Sequence, residues 1–247
     1  MASCLSGADN PAPALFLTSG RKSVIRAVVF DFNGVIANDE HLHLVLFAEQ
    51  LATQGITLTE ELYNERYLGF DDRGCFMIAM MDHNKPCDAK LLQTLIDRKA
   101  VRYLERAAQE LVFFQGVVEC VERLSAKVPL VVCSGALRAE IELAFEILNI
   151  RHLFQGIVSA EDTEACKPDP EGYSKALDLL RHSIPDLEAE ETVAVEDSLA
   201  GIAAAKAAGI HVVALPNSYP VDKLQAEGPS SIVNNLYSFS QWVLERT

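Results

Sequence analysis

The chain has 247 residues, 49% of them apolar, and a formal net charge of −14 at neutral pH. That length holds one α/β core with an insert, while the acidity excludes a broad nucleic-acid or anionic-membrane partner, since both need basic patches. It leaves room for a small phosphorylated molecule held by a metal ion and a few local cations. No stretch reaches the apolar length needed to span a bilayer. The six cysteines, Cys4, Cys75, Cys87, Cys120, Cys133 and Cys166, form no Cys-x-x-Cys pair, which favours reduced thiols in a cytoplasmic protein over disulfides or a zinc site.

In chain order, residues 1–23 read as an irregular leader of prolines, serines and small residues. Their apolar patch is too short for a secretory core, and a cleaved organelle-targeting peptide is the lesser alternative to a cytoplasmic protein. Val24 to Phe30 is a β-branched run that ends abruptly in Asp31, and Asn33-Gly34 suits a sharp turn. A buried strand thus delivers a carboxylate to its C-terminal end, where open α/β sheets bind ligands. Taken alone, Asp31 reads equally as the cap of a turn.

From Asp39 to Gln54 the spacing of Leu42, Val45, Leu46 and Leu51 predicts a helix. Further helices are expected from about Thr59, over about Gly74 to Met81, and from Asp88 to Gln109. An all-helical insert between strands is most simply a lid over the strand ends. Its basic residues Arg73 and Lys99 read from the sequence as exposed helix charges, and His43, near the hinge, as structural. Strand-helix alternation resumes at about Phe113, which implies a parallel, doubly wound sheet.

Three later stretches bear on the choice between those readings of Asp31, two of them repeating its arrangement. Val128 to Cys133 ends in Ser134-Gly135 before a helical pattern, so a hydroxyl and free N–H groups form a seat for phosphate. Arg138 lies one turn on, as either a phosphate ligand or a surface arginine. In Cys166-Lys167-Pro168-Asp169-Pro170 two prolines stiffen the chain around a lysine. Thr192 to Val195 ends in Glu196-Asp197 before an alanine-rich helix; Glu196 is either a helix-start charge or a metal ligand. His211 to Leu215 and Ser231 to Val233 read as final strands, and Asn234 to Arg246 as a closing helix.

In this order the four stretches resemble the haloacid dehalogenase superfamily, in its capped phosphatase and phosphomutase branch. The resemblance implies a Rossmann-like α/β core at 24–38 and 113–247 with a helical cap at 39–112. It implies Mg²⁺-dependent hydrolysis of a small organic phosphate through an aspartyl phosphate on Asp31. Asp31, Asp197, the Asn33 carbonyl and either Glu196 itself or its water would hold the metal. Ser134, Gly135 and Arg138 would bind phosphate, Lys167 would offset charge, and Arg73, Lys99 and His43 are the candidates to meet the rest of the substrate.

Asn33 departs from the family, which has an aspartate there as general acid and base. An amide cannot exchange protons near neutral pH, so a contribution of about 100- to 10,000-fold is expected to be largely missing. Asn38-Asp39-Glu40 departs as well, and Asp39 and Glu40, at the hinge, are set aside as replacement acids. An acyl phosphate or another substrate with a good leaving group suits such a site. A catalytically impaired phosphate-binding or regulatory protein is the alternative, a phosphomutase is less favoured, and a monomer is the default.

Overall fold

Strands apolar at every position must be covered on both faces, and short Val- and Ala-rich runs of that kind build this sheet. The computed structural model describes residues 24–247; the leader read in 1–23, with Cys4, lies outside the described residues. Strand β1 (Ala27–Phe30) is followed by helices α1 (Glu40–Ala52), α2 (Glu60–Arg66), α3 (Asp72–Asp82) and α4 (Ala89–Glu110). The chain then alternates: α5 (Val117–Ser125), β2 (Leu130–Cys133), α6 (Arg138–Leu148), β3 (Gly156–Val158), α7 (Glu171–Arg181), β4 (Thr192–Glu196) and α8 (Leu199–Ala207). It closes with β5 (His211–Ala214), α9 (Val221–Ala226), β6 (Ser231–Ile232) and α10 (Leu236–Leu244).

The six strands run parallel in the order β3-β2-β1-β4-β5-β6. Their residues alternate between two apolar layers, as a period of two requires. Val28, Phe30, Leu130, Val132, Val193 and Val195 pack with Val121, Phe145 and Phe239 of α5, α6 and α10. Ala27, Val29, Val131, Ala194 and Val212 pack on the other face with Leu177, Ile202 and Leu224 of α7, α8 and α9. The expected α/β, doubly wound parallel sheet is what the chain forms. Because strand order reverses direction beside β1, the loops after β1 and β4 part and open a crevice at their C-terminal ends.

Helices α1 to α4 carry an apolar cluster of their own, in which Phe47, Tyr63, Tyr67, Phe76, Met80 and Leu95 are buried. Side chains of Thr59, Asp71 and Asp88 cap α2, α3 and α4, satisfying N–H groups that a helix start leaves free. The excursion leaves and re-enters the core at adjacent points: Asn38 N donates to Val112 O at 2.8 Å, and Phe114 N to Ile36 O at 3.1 Å.

Several boundaries differ from the sequence expectation. Strand β2 starts at Leu130, since Pro129 has no N–H to donate. The closing helix is shorter than 234–246, beginning after the Asn235 cap. The residues of β3, too few to show a periodicity, gave no strand signal.

Candidate active site

Asp31 follows β1, Ser134 follows β2, and Glu196 ends β4 with Asp197 directly after it. Carboxylate oxygens of Asp31, Glu196 and Asp197 lie within 4.8 Å of one another, and all three residues are buried. Such a cluster needs cations. One is present: Lys167 Nζ donates to Asp31 Oδ1 at 2.8 Å and to Glu196 Oε1 at 2.5 Å. These partners outweigh the effect of burial and hold the Lys167 ammonium above its ordinary pKa.

One ammonium among three carboxylates leaves a surplus of negative charge. Burial, then repulsion from Glu196, pushes Asp31 up to about 7 despite Lys167, and burial with repulsion from Asp31 and Glu196 pushes Asp197 well up. The two lining carboxylates are hard oxygen donors in a site short of positive charge, which fits a hard divalent cation. Glu196 differs. It accepts from Lys167, Tyr173 (2.6 Å), Ser198 Oγ (3.0 Å) and the N–H groups of Asp197 and Ser198. Protein donors thus surround it within the acidic cluster, and it fixes Lys167 and the start of α8.

Two glycines make room for these acids. A Cβ on Gly34, whose φ is +76°, would come within 1.8 Å of Asp197 Oδ2, and one on Gly201 within 1.9 Å of Glu196 Oε1. Gly34→Ala is therefore expected to displace the Asp197 carboxylate and strain the turn by about 1–2 kcal/mol. Thermal unfolding should show a lower Tm and a much reduced response to divalent cation; an unchanged response would mean Asp197 tolerates the shift.

Asn33 faces the pocket through its side chain. Its Nδ2 donates to both oxygens of Asp39 at 3.1 Å and lies 3.2 Å from His43 Nε2, while Ser134 Oγ donates to its Oδ1 at 3.4 Å. The amide nitrogen is assigned to the Asp39 side because a carboxylate only accepts. Asp39 also accepts from Tyr103 OH at 2.5 Å and from His43. Burial works against its charge, but His43, Tyr103 and Asn33 outweigh it and hold Asp39 down to about 2. It is a carboxylate with no proton to offer near neutral pH.

Behind His43 stands Lys99, which has no exposed surface and is not the solvated charge its sequence suggests. Its Nζ donates to Asp72 Oδ1 at 2.6 Å, meets His43 Nδ1 at 2.9 Å, and lies 4.0 Å from Glu140 Oε1. Burial opposes its charge, but Asp72 and Glu140 outweigh it and keep the proton on Lys99. Burial and the Lys99 charge work against a proton on His43, but Asp39 outweighs them and holds its pKa above the ordinary value, and Nε2–H points at Asp39.

The pocket wall brings together Asp31, Asn33, His43, Ser134, Gly135, Lys167 and Asp197. Arg138 is not part of it: as first residue of α6 it is tied to Asp162 and to Ile157 O. Arg73 is exposed and does not line the pocket. Sequence reading passed over Ser218, which donates to Asp197 Oδ2, and Asn217, which donates to Gly34 O at 2.7 Å. Both follow β5, so the rule that found Asp31 applies to them too. Glu40, set aside above as a replacement acid, lines the pocket together with Tyr63, Asp71, Asp72 and Tyr219; nothing in the local sequence of those four marks them.

A family model for haloacid dehalogenase-like hydrolases matches residues 28–215. The chain belongs to that family. This haloacid dehalogenase-like hydrolase is 30% identical over 203 residues to Protein CbbY of Rhodobacter capsulatus, covering 79% of this chain and 87% of that one. It is 28% identical over 200 residues to validoxylamine A 7'-phosphate phosphatase of Streptomyces hygroscopicus subsp. limoneus, covering 81% and 89%. A mutant CbbY from Rhodobacter sphaeroides, crystallised with xylulose-(1,5)bisphosphate, matches at TM-score 0.75 and 25% identity, covering 86% and 95%. The hydrolase sits in the phosphatase branch of its family. No helix among its described residues is long and apolar enough to cross a membrane.

Proposed function

We propose that this hydrolase cleaves a small organic phosphate with Mg²⁺, through a covalent aspartyl phosphate on Asp31. The observation that supports this most is the pairing of Asp31 with Lys167 at the pocket floor, beside a second lining carboxylate, Asp197. Asp31, Asp197 and the Asn33 carbonyl would hold the metal, which when bound would neutralise phosphoryl oxygen charge. Ser134 Oγ and the Gly135 N–H would bind phosphoryl oxygen, the Ala136 N–H being bonded to Ser134 Oγ at 3.1 Å, and Lys167 would lower the cost of bringing one anion to another.

In the first displacement an Asp31 oxygen bonds to phosphorus as the ester oxygen leaves with the bonding pair. In the second, water bonds to phosphorus and Asp31 is released with inorganic phosphate. With Asn33 in place, the leaving oxygen draws its proton from solvent or leaves as a stable anion. Esters of acidic alcohols and acyl phosphates are therefore the favoured substrates. We read residues 39–112 as the cap that shields these steps from bulk water.

The test is release of phosphate from an acyl phosphate and an aryl phosphate with and without Mg²⁺; no metal-dependent release from either would overturn the reading. A separate expectation concerns pH. Metal-free, the folded protein keeps a proton on Asp31 up to about 7, whereas the unfolded chain loses it near 4. Between those values the folded state binds more protons, so metal-free stability falls as pH rises. Mg²⁺ needs the deprotonated form, so its stabilisation should be larger at pH 8 than at pH 6, by a few degrees in Tm at fixed free Mg²⁺. A shift independent of pH would count against Asp31 as a ligand.

A further inference from the structure

The loop between β5 and α9 directs three consecutive side chains at three different parts of the molecule. Asn217 Nδ2 donates to Gly34 O at 2.7 Å, in the turn directly after Asn33. The Ser218 hydroxyl donates to Asp197 Oδ2. The Tyr219 hydroxyl donates at 3.2 Å to Leu68 O, in the helical insert. Leu68 lies just past the end of α2, and the chain turns away at Gly69, whose φ is +87°. No further turn of helix supplies its carbonyl with a donor, and the core supplies one instead.

The stretch itself is held by these bonds more than by packing. None of residues 217–219 is fully buried. Ser218 and Tyr219 line the pocket on one side, and Asn217 and Ser218 line a second cavity of about 200 Å³ on the other, together with Asn38, Asn64 and Leu68. Pro216 and Pro220 bracket the three residues, and their rings fix φ at both ends. A shift at one of the three is therefore passed to its neighbours.

Resting on the metal-dependent reading above, we infer that Asn217, Ser218 and Tyr219 act as one positioning element that couples divalent-cation binding at Asp31 and Asp197 to docking of the insert over the pocket. With the insert docked, Leu68 holds Tyr219, and Ser218 is kept where its hydroxyl restrains the Asp197 carboxylate. With the insert released, Tyr219 loses its acceptor and the stretch keeps only its contacts within the core. A carboxylate oriented by a neighbouring donor is a better metal ligand than a free one. By linkage, a bound cation then favours the docked insert by the same factor.

The test uses the full chain, Mg²⁺ alone as the probe, and two readouts that need no turnover: calorimetric Mg²⁺ affinity and hydrogen exchange of the amides of residues 67–74. Ser218→Ala is expected to weaken Mg²⁺ binding about 10- to 100-fold, and Ser218→Thr to keep most of it. Tyr219→Phe keeps its ring and hydrogen-bonds no proposed metal ligand, yet it should weaken Mg²⁺ binding about fivefold or more. Saturating Mg²⁺ should slow exchange in residues 67–74 of the unchanged protein and do so much less in Tyr219→Phe. A hydroxyl with a merely structural part would lower the Tm and leave Mg²⁺ affinity where it was.

Phosphate release from an aryl phosphate, run in parallel, reports on the hydrolase reading separately. The expected changes in Mg²⁺ binding with no release would overturn that reading and support the coupling. Unchanged Mg²⁺ affinity in Tyr219→Phe, equal slowing of exchange in both proteins, or no Mg²⁺ binding at all would overturn the inference.

Discussion

Asp31→Asn is expected to lower phosphate release by at least about 10⁴-fold while leaving the protein folded. An amide oxygen is a poor nucleophile, and losses of that size or more follow removal of the attacking group in enzymes using covalent catalysis. The fold should survive because the carboxylate is a charge the core tolerates poorly, as its raised pKa shows. At pH 8 without metal, Asn at this position removes a repulsion with Glu196 and Asp197, so the Tm should hold or rise. Lys167 keeps its contact with Glu196 at 2.5 Å. Phosphate release and thermal unfolding on the same preparation decide the matter. Residual activity above about 1% would remove Asp31 from the role of nucleophile.

Asn33→Asp is expected to raise turnover of poor leaving groups about 100-fold or more, and to do little for an acyl phosphate. The structure adds a condition to this gain. Asn33 Nδ2 stands 3.1 Å from both oxygens of Asp39, so an aspartate there would face a buried carboxylate at hydrogen-bonding distance. Two such groups cannot both ionise, and the pair retains a proton with one pKa strongly raised. That retained proton is what a leaving alkoxide needs.

The same substitution removes a charge-assisted donor and should cost about 1–3 kcal/mol of stability above neutral pH. Asn33→Asp combined with Asp39→Asn exchanges donor and acceptor. It should recover much of the stability while keeping a carboxyl at position 33. Rates for alkyl and acyl phosphates, with Tm at pH 6 and 8, test each part. A gain equal for both leaving groups would mean that the acid at 33 does something other than protonate the departing oxygen.

The strands that end in Asp31, Ser134 and Glu196 were legible because burial on both faces writes itself as an unbroken apolar run. A polar residue closing such a run then marks the sheet edge where chemistry collects. Lys167 was legible because prolines on its flank leave its loop few ways to go. The network around Asn33 was not. Asp39 and His43 lie one turn apart at the start of α1, but Tyr103 reaches them only because α4 packs against α1, and neither helix says so in its own periodicity. Lys99 misled for the same reason: a lysine on an amphipathic helix reads as solvated until Asp72 and Glu140 are brought to it from elsewhere in the chain. Local pattern reports which face is buried; which charges meet inside depends on tertiary contact.

The pinning of Asn38 to Val112 and of Ile36 to Phe114 at the edge of the core has a topological consequence. To the core, the whole excursion through α1–α4 is one closed loop whose ends touch. The entropy of closing a flexible loop grows only with the logarithm of its length, about 0.6 kcal/mol per doubling. Lengthening, shortening or replacing the excursion therefore changes the energetics of forming the sheet very little. The excursion can therefore diversify by insertion and exchange, while the strand ends that carry Asp31 and Asp197 keep their register and the loop that carries Lys167 keeps its place.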